Sequence, residues 1–260
     1  MDYKVVIVGA GPAGIFAAMT LADFGIKGIL LLEQGKDLSK RERQNPEDRL
    51  CGWGGAGAFS DGKLTLSTEV GGVLKDFMEE GPLYELLKDT DEIYAANGAP
   101  DRIFGKSSPE LEELADRARM ADLELLPNRI RHIGTDNCQA VLESFKKSLV
   151  GRVDIHTESE VKELISDHGR IQGVKLADGR SIPSNFVIVA PGRSGARWMK
   201  KQAESLGLTT RATSVDIGVR VELSAPVLKE ITDTAYESKL IHYSKTFDDK
   251  VRTFCMNPYG

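Results

Sequence analysis

Cysteine is scarce in this sequence. The three cysteines, Cys51, Cys138 and Cys255, are an odd number, lie far apart and show no metal-ligand spacing. A disulfide framework or a cysteine-based metal site requires paired or closely spaced cysteines. The pattern therefore predicts reduced thiols and no structural metal.

Long apolar runs and an excess of basic residues are also missing. No apolar run reaches the ~18 residues needed to span a bilayer, and no charged segment precedes a cleavable apolar stretch. The net charge is -5, whereas nucleic-acid-binding domains are usually basic. These absences predict a cytoplasmic protein that binds neither membranes nor nucleic acids.

A glycine-rich turn follows the first apolar stretch. Val5 to Val8 is a short β-branched run typical of a buried parallel strand, and Gly9, Gly11 and Gly14 follow it in the spacing GxGxxG. In this spacing the first glycine permits a tight turn, the second lets the backbone approach a pyrophosphate, and the third allows close packing of helix on strand. Pro12 suits the start of the helix that follows.

A second strand and an acidic residue complete this pattern. Ile29 to Leu32 is apolar and ends at Glu33, roughly 20 residues past the glycines, where a carboxylate can accept hydrogen bonds from ribose hydroxyls. The same carboxylate would repel a 2′-phosphate. The strand, turn, helix, second strand and acidic residue together predict a dinucleotide site that takes an unphosphorylated ribose.

A second glycine-rich stretch spans Cys51 to Lys63, with the sequence CGWGGAGAFSDGK. The apolar residues of this stretch follow neither the spacing of a helix nor that of a strand. Glycine lets backbone N–H groups line a concave anion site or pass close to a flat ring. A flexible surface loop is the alternative, although Trp53 and Phe59 are unusual in a mere linker.

The pairing of VVIVGAGPAGIFAA with GWGGAGAFSDGKL resembles the FAD-dependent dehydrogenase family, within the glutathione-reductase-like flavoproteins that have two dinucleotide-binding folds. The first motif is widely shared and the second is more specific to the family. The resemblance covers most of the chain and implies FAD, with a loop at Gly54 to Gly62 that contacts its flavin half. Ala56 stands where the partner of Cys51 would lie in a flavin disulfide reductase, so thiol-disulfide exchange by that route is excluded.

The motifs and the resemblance together define the predicted cofactor-binding residues. By resemblance, Val161 lies where main-chain groups bind the adenine edge, and Ala190-Pro191-Gly192 replaces the more usual Ala-Thr-Gly after a strand. The predicted set is Gly9, Gly11, Pro12, Ala13, Gly14, Glu33, Gln34, Gly54, Gly55, Ala56, Gly57, Ser60, Asp61, Gly62, Val161, Ala190, Pro191 and Gly192.

The remaining patterns predict an α/β fold with a Rossmann-like parallel sheet, a β-meander, an inserted helical segment and an antiparallel-sheet substrate or cap domain. Alternation in Val215 to Leu223, and apolar runs at Lys239 to Ser244 and Val251 to Met256, indicate strands of that last domain. We expect residues 1–68 and 129–200 to form the FAD-binding domain, 69–128 to form a substrate-facing helical insertion, and 201–260 to form an incomplete antiparallel domain.

The predicted function is that of an FAD-dependent oxidoreductase, which transfers hydride or electrons between an unidentified small organic substrate and bound FAD. A non-catalytic dinucleotide-binding or sensor protein and an NAD-dependent dehydrogenase without flavin remain alternatives. The catalytic candidates are Asp61, Lys63 and His132. His132 suits an acid, a base or a structural residue, and Lys63 suits a cation near reduced flavin or a solvated lysine.

The C-terminal sequence predicts an incomplete flavin site. The chain stops at Asn257-Pro258-Tyr259-Gly260, whereas the resembled family continues and ends with a Gly-Asp-type segment near the flavin. No such segment follows Gly192. We therefore expect weak FAD retention, and self-association through an open strand edge at Val251 to Met256.

Overall fold

A computed structural model describes residues 3–126, 128–213 and 215–258, so the end of the predicted C-terminal stretch, residues 259 and 260, lies outside the described residues. The helices are α1 (Pro12–Asp23), α2 (Pro46–Leu50), α3 (Glu80–Ala96), α4 (Pro109–Met120), α5 (Thr135–Leu149), α6 (Ala196–Ser205) and α7 (Lys229–Ala235). The strands are β1 (Tyr3–Val8), β2 (Ile29–Leu32), β3 (Lys63–Thr65), β4 (Ile103–Phe104), β5 (Glu124–Leu126), β6 (Ile130–His132), β7 (Asp154–His156), β8 (Val161–Asp167), β9 (Arg170–Leu176), β10 (Ser181–Val189), β11 (Lys239–Tyr243) and β12 (Lys250–Arg252). Within the described ranges, no helix combines the length and apolar character that crossing a membrane requires.

The chain divides into two compact units. The first, which we call the dinucleotide unit, comprises Met1–Ser60 and Thr135–Asp216, and the second unit comprises Asp61–Gly134 and Ile217–Gly260. The boundaries of these units lie at residues 60, 134 and 216, whereas the sequence analysis places segment boundaries at 68, 128 and 200. The division into four segments with assigned roles stays a prediction.

The sheet of the dinucleotide unit has the strand order β7-β2-β1-β10-β9-β8. From β7 to β10 neighbouring strands are parallel, and β10, β9 and β8 pair antiparallel as a meander. In register, Val6 of β1 lies between Leu30 of β2 and Val187 of β10. The predicted Rossmann-like sheet with a β-meander is therefore confirmed.

The core of this unit follows from the strand period. Successive strand residues point to opposite faces, and alternate residues of β1 and β2 join the meander in one buried cluster of Val6, Val8, Leu30, Leu32, Val161, Val174 and Leu176. Helix α5 buries the helical-face series Cys138, Val141, Leu142, Phe145 and Leu149. Phe145 meets Phe16 of α1 edge to face, with ring centroids 5.7 Å apart. Burying one such side chain contributes roughly 1.5–3 kcal/mol, so these contacts hold α1 firmly behind the turn that follows β1.

The second unit contains two small antiparallel sheets, with the strand orders β12-β11-β5 and β3-β6-β4. Helix α4 begins as its sequence indicates, because the Ser108 hydroxyl caps it by accepting a hydrogen bond from the N–H of Leu111 at 3.2 Å, and Pro109 occupies the first turn. The antiparallel architecture and the helical insertion predicted from the sequence are confirmed.

The predicted strand at Val215 to Leu223 is wrong for the residues that the structure describes there. They form no strand, and Ile217 and Val219 are 95% and 88% exposed. Alternation shows that one face is apolar, but a strand also needs a neighbour for its N–H and C=O groups. The other two predicted strands find partners, as β11 and β12 pair with each other.

Candidate cofactor site

The turn after β1 lies beside the loop after β10. Val8 pairs with Val189 at the ends of these parallel strands. Gly9 has a φ of +103°, and a Cβ there would overlap the carbonyl oxygen of Ala190; a Cβ on Gly14 would overlap the carbonyl oxygen of Gly9. Contacts within the protein therefore require glycine at both positions.

Gly11, by contrast, faces open space. A Cβ on Gly11 would meet no protein atom within 4 Å. Gly11 is the N-cap of α1, which has no side-chain cap and no acidic residue in its first turn. The unpaired N–H groups and the positive end of the helix dipole are thus available to an anion in front of Gly11. Open space at this position suits a diphosphate.

Glu33 organises the main chain around this turn. Its carboxylate accepts hydrogen bonds from the N–H groups of Ala10 at 2.8 Å, Gly35 at 2.8 Å and Gly52 at 2.9 Å, and the residue is only 5% exposed. The ribose contact expected from the sequence stays a prediction. Its bonds to Ala10 and Gly52, which link the first glycine turn to the second glycine-rich stretch, were not anticipated.

The second glycine-rich stretch packs against the first. The N–H of Gly54 donates to the carbonyl of Ala10 at 2.8 Å, and a Cβ on Gly55 would lie 3.1 Å from Cα of Gly11. Trp53 is completely buried, and its indole N–H donates to the carbonyl of Leu142 at 2.9 Å. The stretch is therefore an anchored wall of the site, and the alternative of a flexible surface loop is wrong.

Arg41 stabilises this wall through hydrogen bonds to main-chain carbonyls. Its buried guanidinium donates to the carbonyls of Asp48 at 2.9 Å, Trp53 at 2.5 Å and Gly55 at 2.9 Å, and it stacks 4.9 Å from the ring centroid of Phe59. Burial lowers the pKa of Arg41 from its ordinary value, although nearby acidic groups oppose that effect. The sequence shows Arg41 as one of several cations in a polar stretch, and no local signal separates it from the others.

These elements enclose a cavity of about 500 Å³, a volume within the ~300–1,000 Å³ typical of ligand pockets. The predicted residues that line it are Gly9, Gly11, Pro12, Glu33, Gln34, Gly55, Ala56, Gly57, Val161, Ala190, Pro191 and Gly192. Ala13, Gly14, Gly54 and Ser60 belong to the same unit without lining the cavity, while Asp61 and Gly62 belong to the second unit. Residues outside the predicted set also line it, among them Arg193, Arg197 and Trp198.

The geometry of the cavity fits a dinucleotide. A Cβ added at Gly11, Gly57 or Gly192 would meet no protein atom within 4 Å, so the space next to these glycines is open. The cavity also lies outside the carboxyl ends of the parallel strands, which is where open α/β sheets bind their ligands. The residues present therefore suit FAD.

Lys63, a catalytic candidate, is already paired within the second unit. Its ammonium lies 2.6 Å from Glu237 Oε2, 2.8 Å from the carbonyl oxygen of Met256, 2.9 Å from Cys255 Sγ and 3.2 Å from Asp61 Oδ2. Burial lowers the pKa of Lys63, but hydrogen bonds with Cys255 and Glu237 and the nearby carboxylates outweigh burial and raise it overall. The alternative of a solvated lysine is thus wrong.

His132 lies on β6, with Nε2 2.9 Å from the hydroxyl oxygen of Tyr236 and ring centroids 4.4 Å apart. Burial lowers the pKa of His132; Asp61 opposes this effect, and the charges of Arg102 and Lys63 add to it. The ring is therefore neutral at pH 7. Tyr236 was not predicted, because it is far from His132 in sequence and carries no motif.

Two comparisons of sequence find similar proteins, and one of them concerns this site. The FAD binding domain family matches residues 2–49, the part that contains β1, the glycine turn, α1, β2 and Glu33. A protein of Clostridium beijerinckii, described only as uncharacterized, is 29% identical over 281 aligned residues, which cover 99% of this chain and 45% of that protein. The chain thus spans less than half the length of this relative.

Solved structures show weaker likeness. An L-amino acid deaminase from Proteus vulgaris has 16% identity and a TM-score of 0.47, covering 80% of this chain and 50% of its own. A glycine oxidase from Geobacillus kaustophilus has 17% identity and a TM-score of 0.47, covering 80% and 59%. These values are too low to indicate a common substrate or reaction. The family match over residues 2–49 and the fit of the cavity assign FAD as the cofactor.

Proposed function

We propose that this chain is part of an FAD-dependent oxidoreductase, a dehydrogenase that transfers hydride or electrons between a small organic substrate and FAD. We further propose that it belongs to the FAD-dependent dehydrogenase family within the glutathione-reductase-like flavoproteins. The observation that carries both proposals is the contact of the two glycine-rich stretches, Gly54 N–H with the Ala10 carbonyl and Gly55 against Gly11. It joins the motif specific to that family to the general dinucleotide turn.

The residues of the dinucleotide unit suit distinct parts of FAD. The uncapped start of α1 at Gly11 suits the diphosphate. Ala56 and Gly57 line the cavity and suit the flavin half, and Val161 lines it where the family resemblance implies the adenine edge. When bound, FAD supplies the acceptor for hydride or electrons. The protein contributes orientation of the cofactor and the substrate.

We assign acid–base work, where the reaction needs it, to His132. Its lowered pKa keeps the imidazole neutral at pH 7, so one ring nitrogen can accept a substrate proton, and the bond to Tyr236 fixes the ring. Asp61 and Lys63 remain weaker candidates, since each is engaged in the ion pair between them. In this proposal His132→Gln should retain FAD and reduce the rate of flavin reduction by ~100-fold or more.

An anaerobic absorbance experiment tests the function. The purified chain, kept in the presence of FAD, should bind it, and the band of the bound flavin should be lost when a suitable class of metabolite is added. Gly11→Val is the matched control, because its side chain would occupy the diphosphate space. A colourless preparation that ignores FAD would contradict the proposal. Quenching of added NADH would then favour a nicotinamide enzyme, and a yellow protein bleached only by dithionite would favour a passive binder.

We also propose a cytoplasmic location and self-association. The sparse, unpaired cysteines support the first, since they suit a reducing compartment. The exposed edge strand β12 supports the second. Cell fractionation tests the location, and light scattering across a concentration series tests the association; a monomer at all concentrations would contradict the latter.

A further inference from the structure

We propose that Arg193 and Arg197 bind the diphosphate of FAD from the β10 side of the cavity. This inference rests on the proposed function and extends it to two residues that neither glycine motif includes. Both side chains line the same cavity as Gly11 and the start of α1. Arg193 lies in the turn between β10 and α6, and Arg197 lies in the first turn of α6.

The position of these arginines follows from the sheet. Strands β1 and β10 are parallel neighbours that end together at Val8 and Val189. The connection after each strand therefore leaves from the same edge of the sheet, with α1 following β1 and α6 following β10. The starts of both α1 and α6 therefore line the cavity.

Neither helix start is neutralised by its own residues. Both α1 and α6 have glycine at the N-cap, no side-chain cap hydrogen bond and no acidic residue in the first turn. Arg197 adds a positive charge to the positive end of the α6 dipole, which is an unfavourable position for a cation. An anion bound in the cavity would be attracted by both Arg197 and the start of α6, and it would offset the repulsion between them.

Among the residues that the structure describes, the two guanidinium groups have no carboxylate partner. Within the described ranges, neither Arg193 nor Arg197 makes an ion pair or a side-chain hydrogen bond, and both are exposed. Two acidic residues line the cavity. The Glu33 carboxylate is occupied by three backbone N–H groups, and Glu160 is exposed. The diphosphate is the anionic group of FAD, and it is the partner whose charge matches this wall.

FAD affinity of the full chain tests the inference. The variants are Arg193→Gln, Arg197→Gln and their combination, with Arg197→Lys as the variant that keeps the charge. Lys201→Gln is the control, because Lys201 is an exposed cation on the same helix and does not line the cavity. The dissociation constant is measured by flavin fluorescence at low and high ionic strength, and ADP and adenosine serve as competitors with and without phosphate.

We expect each Gln variant to weaken FAD binding by about tenfold at low salt, since charge-assisted hydrogen bonds are lost. The difference should shrink at high salt because exposed charges are screened. ADP should compete less well with the double variant, adenosine should compete equally, and Arg197→Lys should recover most of the affinity. Lys201→Gln should match wild type.

An unchanged FAD affinity in the double variant would overturn the inference, as would an equal loss for adenosine. A salt-independent affinity of the wild-type chain would also overturn it, without any need for a variant. Failure of the wild-type chain to bind FAD at all would instead overturn the cofactor assignment on which the inference rests.

Discussion

Two largely buried charges in each unit, Glu33 and Arg41 in one and Lys63 and Lys239 in the other, differ in their partners. In the dinucleotide unit, Glu33 and Arg41 direct nearly all of their hydrogen bonds to main-chain groups of the glycine-rich turns. In the second unit, Lys63 and Lys239 both pair with the side chain of Glu237. Glu33 and Arg41 hold the main chain of a cavity wall, whereas the bond of Lys63 to Glu237 joins residues far apart in sequence. We infer that the first set shapes the cavity and that the second mainly connects segments of its own unit.

The sharpest test of this comparison separates two glycines of the same turn. Gly14→Ala should lower the free energy of unfolding by more than ~3 kcal/mol, because its Cβ would overlap the carbonyl oxygen of Gly9. Gly11→Val should change stability by less than ~1 kcal/mol, because no protein atom lies near its Cβ, while FAD affinity falls about 100-fold or more. Urea unfolding and FAD titration measure both. Equal stability losses would show that Gly11 also serves packing.

A second test removes the central cation of the second unit. Lys63→Met should cost about 3 kcal/mol in chemical denaturation, since it leaves the buried Glu237 and the half-buried Asp61 with less compensation. The matched control is Lys175→Met, because Lys175 and Glu163 form an exposed pair at 3.9 Å that should be worth less than ~0.5 kcal/mol. If the two variants lose the same stability, the Lys63 cluster is not a structural centre.

A third test concerns the carboxylate of the dinucleotide unit. Glu33→Gln should lower stability by about 2 kcal/mol, because an amide supplies one acceptor oxygen where three N–H groups now donate. Denaturation of Glu158→Gln, at an exposed residue paired with Lys40, provides the comparison. FAD affinity measured in the same Glu33 variant distinguishes wall geometry from a ribose contact. A fully stable variant would contradict the main-chain role.

The smallest expected effect is a pH dependence from Glu237. Burial raises the pKa of this carboxyl, but hydrogen bonds from Lys239 and Lys63 outweigh burial and place the pKa below its ordinary value of 4.5. Its contribution is therefore fully present above that ordinary value and is lost as the pH falls through the folded-state pKa. We expect a loss of less than ~1 kcal/mol below pH 4.5 that disappears in Glu237→Gln. An identical acid profile in that variant would contradict the assignment.

Several features of the dinucleotide unit are predictable from the sequence because each depends on residues close together in the chain. The run Val5 to Val8 forms a buried strand, the glycine spacing permits the turn, and Pro12 starts the helix. These local preferences agree with one another, so the parallel strand, turn and helix need no knowledge of the rest of the fold. The assignment of a dinucleotide cofactor follows from the same short stretch.

Only the tertiary structure decided which distant groups meet. Glu33 bonds to Gly52, and Lys63 bonds to Glu237, across separations that no spacing rule covers. The segment Val215 to Leu223 shows what sequence prediction cannot supply. Its alternation indicates an apolar face, but it does not indicate a neighbouring strand, and its residues, all of which the structure describes, form no strand. Local sequence sets the preferences of one segment, whereas hydrogen bonds and ion pairs between segments depend on how the whole chain packs.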